Sequence, residues 1–317
     1  MKTLRQSVED ALARKVAIGH FNISNLEGFW AVVRAAETIS EKAGRPVPVI
    51  IGVSEGERDF VGVPQVRALV DTVNKTRADL EKSTGVACKY GPVYLNADHT
   101  YSFDRVKEVI DAGFDAAIFD GTELSFDDNV ATTKKCVDYA HAKMAEAKAA
   151  GVDRDILIEA ELGFIGKSSE IHDAPAAGVS FGEDALTKVD EAKKFIELTG
   201  ADMLAPAIGN MHGLLKNMHK PALNTTRVAD IAAATSRPLV LHGGSGDFDA
   251  DVVKVIDAGV AIVHINTELR VAYRDALKLS IQANPDEVAP YKFAKPALHA
   301  MQAVVEKKLA VFNKLVV

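Results

Sequence analysis

Pro238-Leu-Val-Leu-His-Gly-Gly-Ser-Gly246 is a short apolar run that leads directly into a histidine, two glycines, a serine and a glycine. The apolar part predicts a buried strand, because it is short and ends in residues that break regular structure. His242 then lies where the strand stops, and the glycines after it let the backbone turn and present N–H groups to a ligand. This combination suits a metal ion beside a phosphate. The alternative is an ordinary turn, with His242 as a hydrogen-bonded structural residue.

The composition is that of a large globular protein. The chain has 317 residues, of which 48% are hydrophobic, and this length is normal for a large α/β barrel. Its 37 Lys and Arg against 44 Asp and Glu residues give a formal charge of −7, which argues against nucleic acid as a partner. The N-terminal stretch has no apolar signal segment, and no apolar run is long enough to span a membrane. We therefore expect a cytoplasmic protein without a membrane partner.

Strand and helix patterns alternate along the chain. Eight short apolar segments are typical of buried strands, and a helical pattern follows each of them. This alternation predicts an α/β fold, a (β/α)8 TIM barrel, and we expect residues 1–317 to form a single domain. The predicted strands are 16–22, 47–54, 93–98, 116–120, 156–161, 203–209, the run from Leu239, and 261–266.

A further helix is predicted at the C-terminal end, from Ala297 to Phe312. Lys307 and Lys308 lie off its apolar face. An added helix with an apolar stripe suggests contact with a second subunit, so we expect a dimer or a larger assembly. The stripe consists of Leu298, Met301, Val305 and Phe312.

Most of the predicted strands have a polar residue at the C-terminal end. In a TIM barrel these ends meet in one mouth, which carries the active site. The sequence therefore predicts a site in that mouth. The residues are Asn22, Ser54, Asp98, Asp120, Glu161, His242 and Asn266.

Two glycine-containing segments could instead indicate a nucleotide-binding fold. An open doubly wound sheet could use Gly243-Gly-Ser-Gly246 as a dinucleotide loop, but this motif is weak and follows six strands. Gly163-Phe-Ile-Gly-Lys-Ser168 resembles part of a P-loop, which would need glycine where Glu161 stands.

Three histidines in the predicted mouth could hold a metal ion. His99, His212 and His242 each follow a different strand, and three imidazoles that leave one position open form a catalytic zinc site. Asp98 precedes His99 and is expected on the other side of the strand, where an acid suits proton transfer to a polarised substrate. The two cysteines lack CxxC spacing and suggest neither a disulfide nor a zinc site. His20 and the remaining histidines are expected on the surface or in the core.

Two glutamates lead into a long loop. Glu159 and Glu161 alternate with apolar residues, so both face the same side of their strand. Buried unpaired carboxylates are costly, so we expect a cation or a hydrogen-bond network; the alternative is salt bridges to lysines. The loop at 163–183, rich in Gly, Ser, Ala and Pro, is long enough to act as a lid.

Six short motifs follow one another along the chain: Asn96-Ala-Asp-His99, Phe119-Asp-Gly-Thr122, Glu159-Ala-Glu-Leu-Gly163, Ala207-Ile-Gly-Asn-Met-His-Gly213, His242-Gly-Gly-Ser-Gly246 and Ile265-Asn-Thr267. Together they resemble the motif set of the class II, zinc-dependent fructose-bisphosphate aldolases, and the similarity runs from Phe21 to Lys295-Pro296. The resemblance implies a TIM barrel that reversibly cleaves a ketose bisphosphate through a zinc-stabilised enediolate. The products would be dihydroxyacetone phosphate and glyceraldehyde 3-phosphate.

The resemblance implies a metal centre and an acid. Asp98 matches the residue that exchanges a proton with the C4 hydroxyl of the substrate. Asp120 and Glu161 match the position of a second cation, divalent or monovalent, seen in some members. The zinc ligands of the family correspond to His99, His212 and His242.

The resemblance also implies a substrate pocket. Lys216 fits a lysine near the phosphate of dihydroxyacetone phosphate, and Asn22 and Ser54 match polar residues at strand ends. The cradle for that phosphate corresponds to Gly213, Gly243, Gly244, Ser245, Asn266 and Thr267.

Two positions depart from the family pattern. The mobile loop of the family carries a Gly-Gly-acidic run with the glutamate that moves the carbon proton, whereas this loop is Gly166-Lys-Ser-Ser-Glu170. Glu170 is therefore the candidate base. His264 stands where many members have asparagine, and it shares a strand face with Asn266. It could donate to the enediolate oxygen as an amide does, and the alternative is a histidine that merely packs against neighbouring strands.

Three functions compete at this point. The first is a metal-dependent fructose-bisphosphate aldolase, assembled as a homodimer or a homotetramer. The second is an aldolase for the tagatose epimer, which differs at one hydroxyl that none of the motifs reports. The third is a barrel that binds sugar phosphates without catalysis, although such a protein need not keep Asp98 beside three histidines. A lysine-based class I mechanism is disfavoured, because no lysine falls within a predicted strand.

Overall fold

Eight strands of the computed structural model close into a parallel barrel, and two short strands pair separately, within the described residues 1–166, 169–175, 178–216 and 219–315. Around the barrel, the neighbours run β1-β10-β9-β7-β5-β4-β3-β2, and β1 pairs with β10 to close it. The predicted TIM barrel is confirmed. The strands are β1 (Ile18–Asn22), β2 (Val49–Val53), β3 (Val93–Thr100), β4 (Ala116–Phe119), β5 (Leu157–Leu162), β6 (Ile171–His172), β7 (Met203–Pro206), β8 (Leu214–Leu215), β9 (Leu239–Leu241) and β10 (Val260–Ile265).

Helices cover the outer face of the barrel. Strands such as β1, β2 and β5 are buried along their whole length, as parallel strands covered on both faces must be. No helix in the described ranges is long and apolar enough to cross a membrane. The helices are α1 (Leu4–Ala13), α2 (Leu26–Ala43), α3 (Glu55–Val61), α4 (Val63–Thr84), α5 (Phe103–Asp111), α6 (Phe126–Ala149), α7 (Val189–Thr199), α8 (Thr225–Thr235), α9 (Asp249–Ala258), α10 (Thr267–Ala283), α11 (Pro290–Phe293) and α12 (Lys295–Phe312).

The first helix, which the sequence analysis did not predict, closes the N-terminal end of the barrel. Leu4, Val8 and Ala11 of α1 are buried in one cluster with the inward-facing residues of the strands, such as Ile18 and Ile50. Because this end is filled by apolar side chains, polar groups inside the barrel lie toward the opposite end. The C-terminal mouth is therefore where a site can form.

The C-terminal helix packs inside the chain. Met301, Val305 and Phe312 are buried in the main core, so this stripe of α12 is no free face for a second subunit. Lys308 was expected off the apolar face, but it is buried, and its Nζ lies 3.0 Å from Glu268. A charged partner inside the fold explains this difference.

The loop predicted at 163–183 contains a short strand. Its strand β6 pairs with β8, and the Leu214 amide donates to the Glu170 carbonyl at 2.8 Å. Lys167 and Ser168 of the same loop lie outside the described residues. The pairing ties the candidate lid to the loop that follows His212.

Candidate active site

Three histidines converge in the barrel mouth. His99 lies on β3, His212 in the loop after β7, and His242 directly after β9. One possible ligand nitrogen from each lies within 4.8 Å of the others, and the Nε2 atoms of His99 and His212 are 3.1 Å apart. Tetrahedral zinc with Zn–N bonds of about 2.0–2.1 Å holds two ligand nitrogens about 3.3 Å apart. The spacing therefore fits one metal ion.

The second nitrogen of each ring has its own acceptor. His99 Nδ1 donates to Asp120 at 3.0 Å, and His242 Nε2 donates to Glu159 at 2.7 Å. His212 Nδ1 donates to the Gly166 carbonyl at 2.6 Å. Metal-binding histidines characteristically have such acceptors, because these fix the tautomer and turn the other nitrogen toward the metal.

The free nitrogens need a positive charge between them. The Nε2 atoms of His99 and His212 face each other at 3.1 Å, so either a proton or a metal ion has to lie between them. The Nδ1 atom of His242 is buried and has no hydrogen-bond partner among the described residues. A cation bound by the three nitrogens would satisfy all of them at once.

Electrostatics keeps two of the rings neutral and the third charged. Burial and the neighbouring His99 lower the pKa of His212 to about 3 and that of His242 to about 3, so both keep a lone pair at pH 7. Burial alone would lower the pKa of His99, but nearby carboxylates, Asp98 first, outweigh it and raise that pKa to about 10. The site therefore favours a positive charge at His99, which a metal ion can supply.

The two glutamates of β5 both face this centre. Glu159 contacts His242, and Glu161 Oε2 lies 3.5 Å from His99 and has no hydrogen-bond partner among the described residues. Burial raises the pKa of both carboxyl groups well above the usual value. Their partners in the described part of the chain are histidines, so the lysine alternative is wrong. A cation bound by the histidines would offset the cost of burying these acids.

Asp120 and Glu161, the two residues proposed to bind a second cation, both lie near His99. Asp120 accepts from His99 and from the Thr122 backbone and hydroxyl, and the hydrogen bond from His99 lowers its pKa although burial opposes this. One oxygen each of Asp120 and Glu161 lies within 4.8 Å of the other and of a His99 nitrogen. In this geometry Asp120 orients His99.

A bulge brings two adjacent residues into the same mouth. The register of β3 against β4 shifts between Ala97 and Thr100, and His99 has a φ of 35°. Neighbours on a regular strand face opposite sides, but Asp98 and His99 both line the cleft. The expectation that Asp98 leaves on a different side is therefore wrong.

Asp98 is held as a carboxylate. Asn22 Nδ2 donates to Asp98 Oδ2 at 2.8 Å and to Glu57 Oε2 at 2.8 Å, which fixes the plane of the acid. Burial would raise the pKa of Asp98, but His99 and His264 outweigh it and lower that pKa well below its usual value. Asp98 is thus ready to accept a proton from a substrate hydroxyl.

His264 lies in the middle of three stacked imidazoles. Its ring is parallel to His20 at 3.5 Å and lies 4.2 Å from the ring of His242. His264 Nδ1 is 3.4 Å from Asp98, longer than a normal hydrogen bond, so an N–H at this atom can still reach a substrate oxygen. The ring both packs against neighbouring strands and lines the cleft.

The remaining wall of the cleft is suited to an anion. Asn266 and Thr267 lie at the N-terminus of α10, where the helix dipole attracts negative charge, and the Asn266 and Glu268 amides donate to Ser245 Oγ at 3.2 and 3.4 Å. A Cβ on Gly213 would lie 2.5 Å from the Glu170 carbonyl, so only glycine fits there. Gly244 lies behind this wall, and its amide donates to the His264 carbonyl at 3.1 Å. The lining includes Gly213, Gly243, Ser245, Asn266 and Thr267.

Besides Asp120, Glu161, His242 and Gly244, which contact residues of the cleft from behind, three predicted residues lie outside its lining. Glu170 is exposed at the start of β6, and Lys216 is exposed with Nζ 3.4 Å from Asp173. Ser54 begins α3, where its amide donates to Glu57 at 2.8 Å. The resemblance located these positions in the sequence, but the loop path and the helix start turn them away from the cleft.

Three buried residues of the site were missed. His20 was expected with the unrelated histidines, but it is fully buried and opposes His264 in the register of β1 with β10. Its position two residues before Asn22 could have identified it, because residues two apart on a strand point to the same face. Glu57 stands three residues after Ser54, as in a capping box. No sequence pattern identifies Lys220, because it donates to backbone carbonyls, which every residue has.

The comparisons place the chain in a family. A family model described as fructose-bisphosphate aldolase class-II matches residues 2–315. The chain belongs to the class II fructose-bisphosphate aldolase family. Class II aldolases cleave and form carbon–carbon bonds, and the family is typically metal-dependent, which agrees with the convergence of His99, His212 and His242.

Individual relatives cover nearly the whole chain. Proteins of Staphylococcus aureus (strain Mu50) and Staphylococcus epidermidis, both named fructose-bisphosphate aldolase, are 33% identical over 98% of this chain and 96% of their own length. The crystal structure of the YdjI aldolase from Escherichia coli K12 has a TM-score of 0.69 at 28% identity, covering 98% of this chain and 96% of that one. The class II aldolase fold thus extends over nearly the full sequence.

Proposed function

We propose that this class II aldolase is zinc-dependent and reversibly cleaves fructose 1,6-bisphosphate to dihydroxyacetone phosphate and glyceraldehyde 3-phosphate. The observation that carries the proposal is the convergence of three imidazole nitrogens beside Asp98, each ring held by its own acceptor. An anion-binding wall completes the cleft. A metal, a proton acceptor and a phosphate site are the parts that aldol cleavage of a phosphorylated ketose requires.

The metal would be held by His99, His212 and His242. When bound, zinc supplies a Lewis acid that polarises the ketone of the substrate and stabilises the charge that develops on cleavage. His99 and His242 depend on Asp120 and Glu159 for their orientation. We place the second cation, if one is used, near Asp120 and Glu161, as the resemblance implies.

The protein groups divide the proton transfers between them. Asp98 accepts the proton of the C4 hydroxyl while the bond between C3 and C4 breaks, and it returns the proton in the condensation direction. Asn22 keeps the acid in place. Glu170 stays the candidate for the proton on the dihydroxyacetone carbon, a role that requires its loop to carry the exposed carboxylate inward.

A direct assay must show which of two epimeric bisphosphates is the substrate. Fructose and tagatose 1,6-bisphosphates differ in configuration at C4, the carbon whose hydroxyl meets Asp98 in this proposal. Triose phosphate release, followed with coupling enzymes, should be faster from the fructose epimer. Faster release from the tagatose epimer would reassign the substrate, and binding without release from either would favour a non-catalytic barrel.

Glu159→Gln should weaken zinc binding. The change keeps the size of the side chain but replaces the carboxyl group, which lies 2.7 Å from His242 Nε2, with an amide that cannot ionise. Loss of such a partner typically costs about 10–100-fold in metal affinity or activity. A competitive titration against a chromophoric chelator measures the affinity, with Glu146→Gln on the exposed face of α6 as a matched control. Equal affinities in the two variants would contradict the supporting role of Glu159.

His264→Ala should lower kcat while zinc stays bound. Removing one donor aimed at developing negative charge typically costs about 10²–10³-fold. His264→Asn should recover much of the loss, because it restores an N–H donor in nearly the same place. Turnover and zinc content are measured together for the two variants. An alanine variant that turns over like the parent would make His264 a packing residue between His20 and His242.

A further inference from the structure

A buried lysine joins two loops of the site. The side chain of Lys220 is 2% exposed, and its Nζ donates to the Met211 carbonyl at 2.7 Å and to the Gly243 carbonyl at 2.6 Å. Met211 precedes His212, and Gly243 follows His242. One ammonium group therefore contacts the backbone beside two of the three candidate metal ligands.

The two carbonyl groups converge at this point. A Cβ on Gly243 would lie 2.3 Å from the Met211 carbonyl oxygen, which shows how closely the loops approach. Two carbonyl oxygens directed at one spot repel each other, and burying them without a donor is costly. Lys220 places a cation with several N–H donors between them.

The opposite sides of the same peptide groups are fixed as well. The His212 amide donates to the Ile165 carbonyl at 3.1 Å, and the Gly244 amide donates to the His264 carbonyl at 3.1 Å. Each peptide plane is thus held from both sides, with Lys220 on the carbonyl side. Rotation of either plane would move a metal-binding histidine or the wall that receives the phosphate.

A buried acid balances the charge of the lysine. Asp247 Oδ1 lies 3.6 Å from Lys220 Nζ, and both side chains are 2% exposed. Burial lowers the pKa of Lys220 and raises the pKa of Asp247, whereas their mutual attraction opposes both changes. The pair can therefore stay ionised inside the protein. A test of Lys220 must then distinguish its contacts with the two carbonyls from its neutralisation of Asp247.

We propose that the Lys220 ammonium is a positioning cation built into the chain, which sets the peptide planes beside His212 and His242. Backbone carbonyls also bind monovalent cations, so the Lys220 ammonium holds the two carbonyls in the way that a bound monovalent cation could. The proposal rests on the proposed function for the zinc ion and for the substrate, and zinc titrations test it without turnover.

The first test removes the side chain and offers a small cation in its place. Lys220→Ala should lower zinc affinity and kcat by about 10–100-fold, the usual scale when support for metal ligands is lost. Ammonium chloride should restore part of both, because the ammonium ion can donate to the two carbonyls in the vacated space. Tetramethylammonium chloride at the same ionic strength has no N–H group and should restore neither. Lys254→Ala, an exposed lysine of α9, is the matched control.

The second test separates positioning from charge balance. Lys220→Met with Asp247→Asn removes both charges and fills the volume, so it should fold, with a lower melting temperature because the two carbonyls lose their donor. Positioning predicts that its zinc affinity and kcat stay low. Parent-like values in this double variant, or equal effects of the two salts on Lys220→Ala, would overturn the proposal. If the parent binds zinc but cleaves neither bisphosphate, the proposed function fails, while the zinc titrations still test Lys220.

Discussion

A strong chelator is expected to abolish cleavage of fructose 1,6-bisphosphate, and added zinc is expected to restore it. The cleft offers three histidine nitrogens within 4.8 Å of one another, and the Nδ1 atom of His242 has no hydrogen-bond partner among the described residues. A zinc ion held by these residues would supply the Lewis acid for the ketone oxygen, so its removal should leave activity at background. Metal content is measured on the same samples as triose phosphate release.

Borohydride provides the control for this prediction. A class I mechanism forms an imine between substrate and a lysine, which borohydride reduces to a stable adduct. Among the described lysines, Lys220 and Lys308 are buried, and both are engaged, by backbone carbonyls and by Glu268 respectively. Borohydride with substrate should therefore leave the enzyme active. Trapping of substrate on any lysine would overturn the zinc assignment.

Asp98→Asn should fold and bind zinc but lose about 10²–10⁴-fold in kcat, the range that general acid–base catalysis typically contributes. The amide has the shape of the acid and can still contact Asn22, but it cannot accept the proton of the C4 hydroxyl. Because Asp98 Oδ1 is 3.9 Å from His99 Nε2, the change leaves the ligand nitrogens in place. Cleavage is followed by the coupled assay, with Asp138→Asn on an exposed face of α6 as a control.

A second assay isolates the step in which Asp98 acts. Exchange of the carbon proton of dihydroxyacetone phosphate with solvent involves the other half of the reaction, so Asp98→Asn should impair it much less than cleavage. Equal losses in cleavage and in exchange would show that Asp98 supports the metal or the fold. Intact zinc content with unequal losses would assign Asp98 to the proton at C4.

The sequence determined the barrel and the end at which its site lies. Apolar strands alternating with helical patterns are local features, and a polar residue such as His242 or Glu161 at the end of most strands marks the mouth. The grouping of His99, His212 and His242 followed from the same placement. These predictions succeeded because burial and strand direction fix which residues can meet at one end of a closed parallel barrel.

Only the tertiary structure decided how the side chains are aimed. The bulge at His99, the position of His20 beside His264, and the contact of Lys220 with two distant carbonyls all depend on register and on distances through space. The exposed position of Glu170 depends in the same way on the path of its loop. Local patterns carry no information on such distances, because a strand period sets a side chain's face but not its partner on another strand.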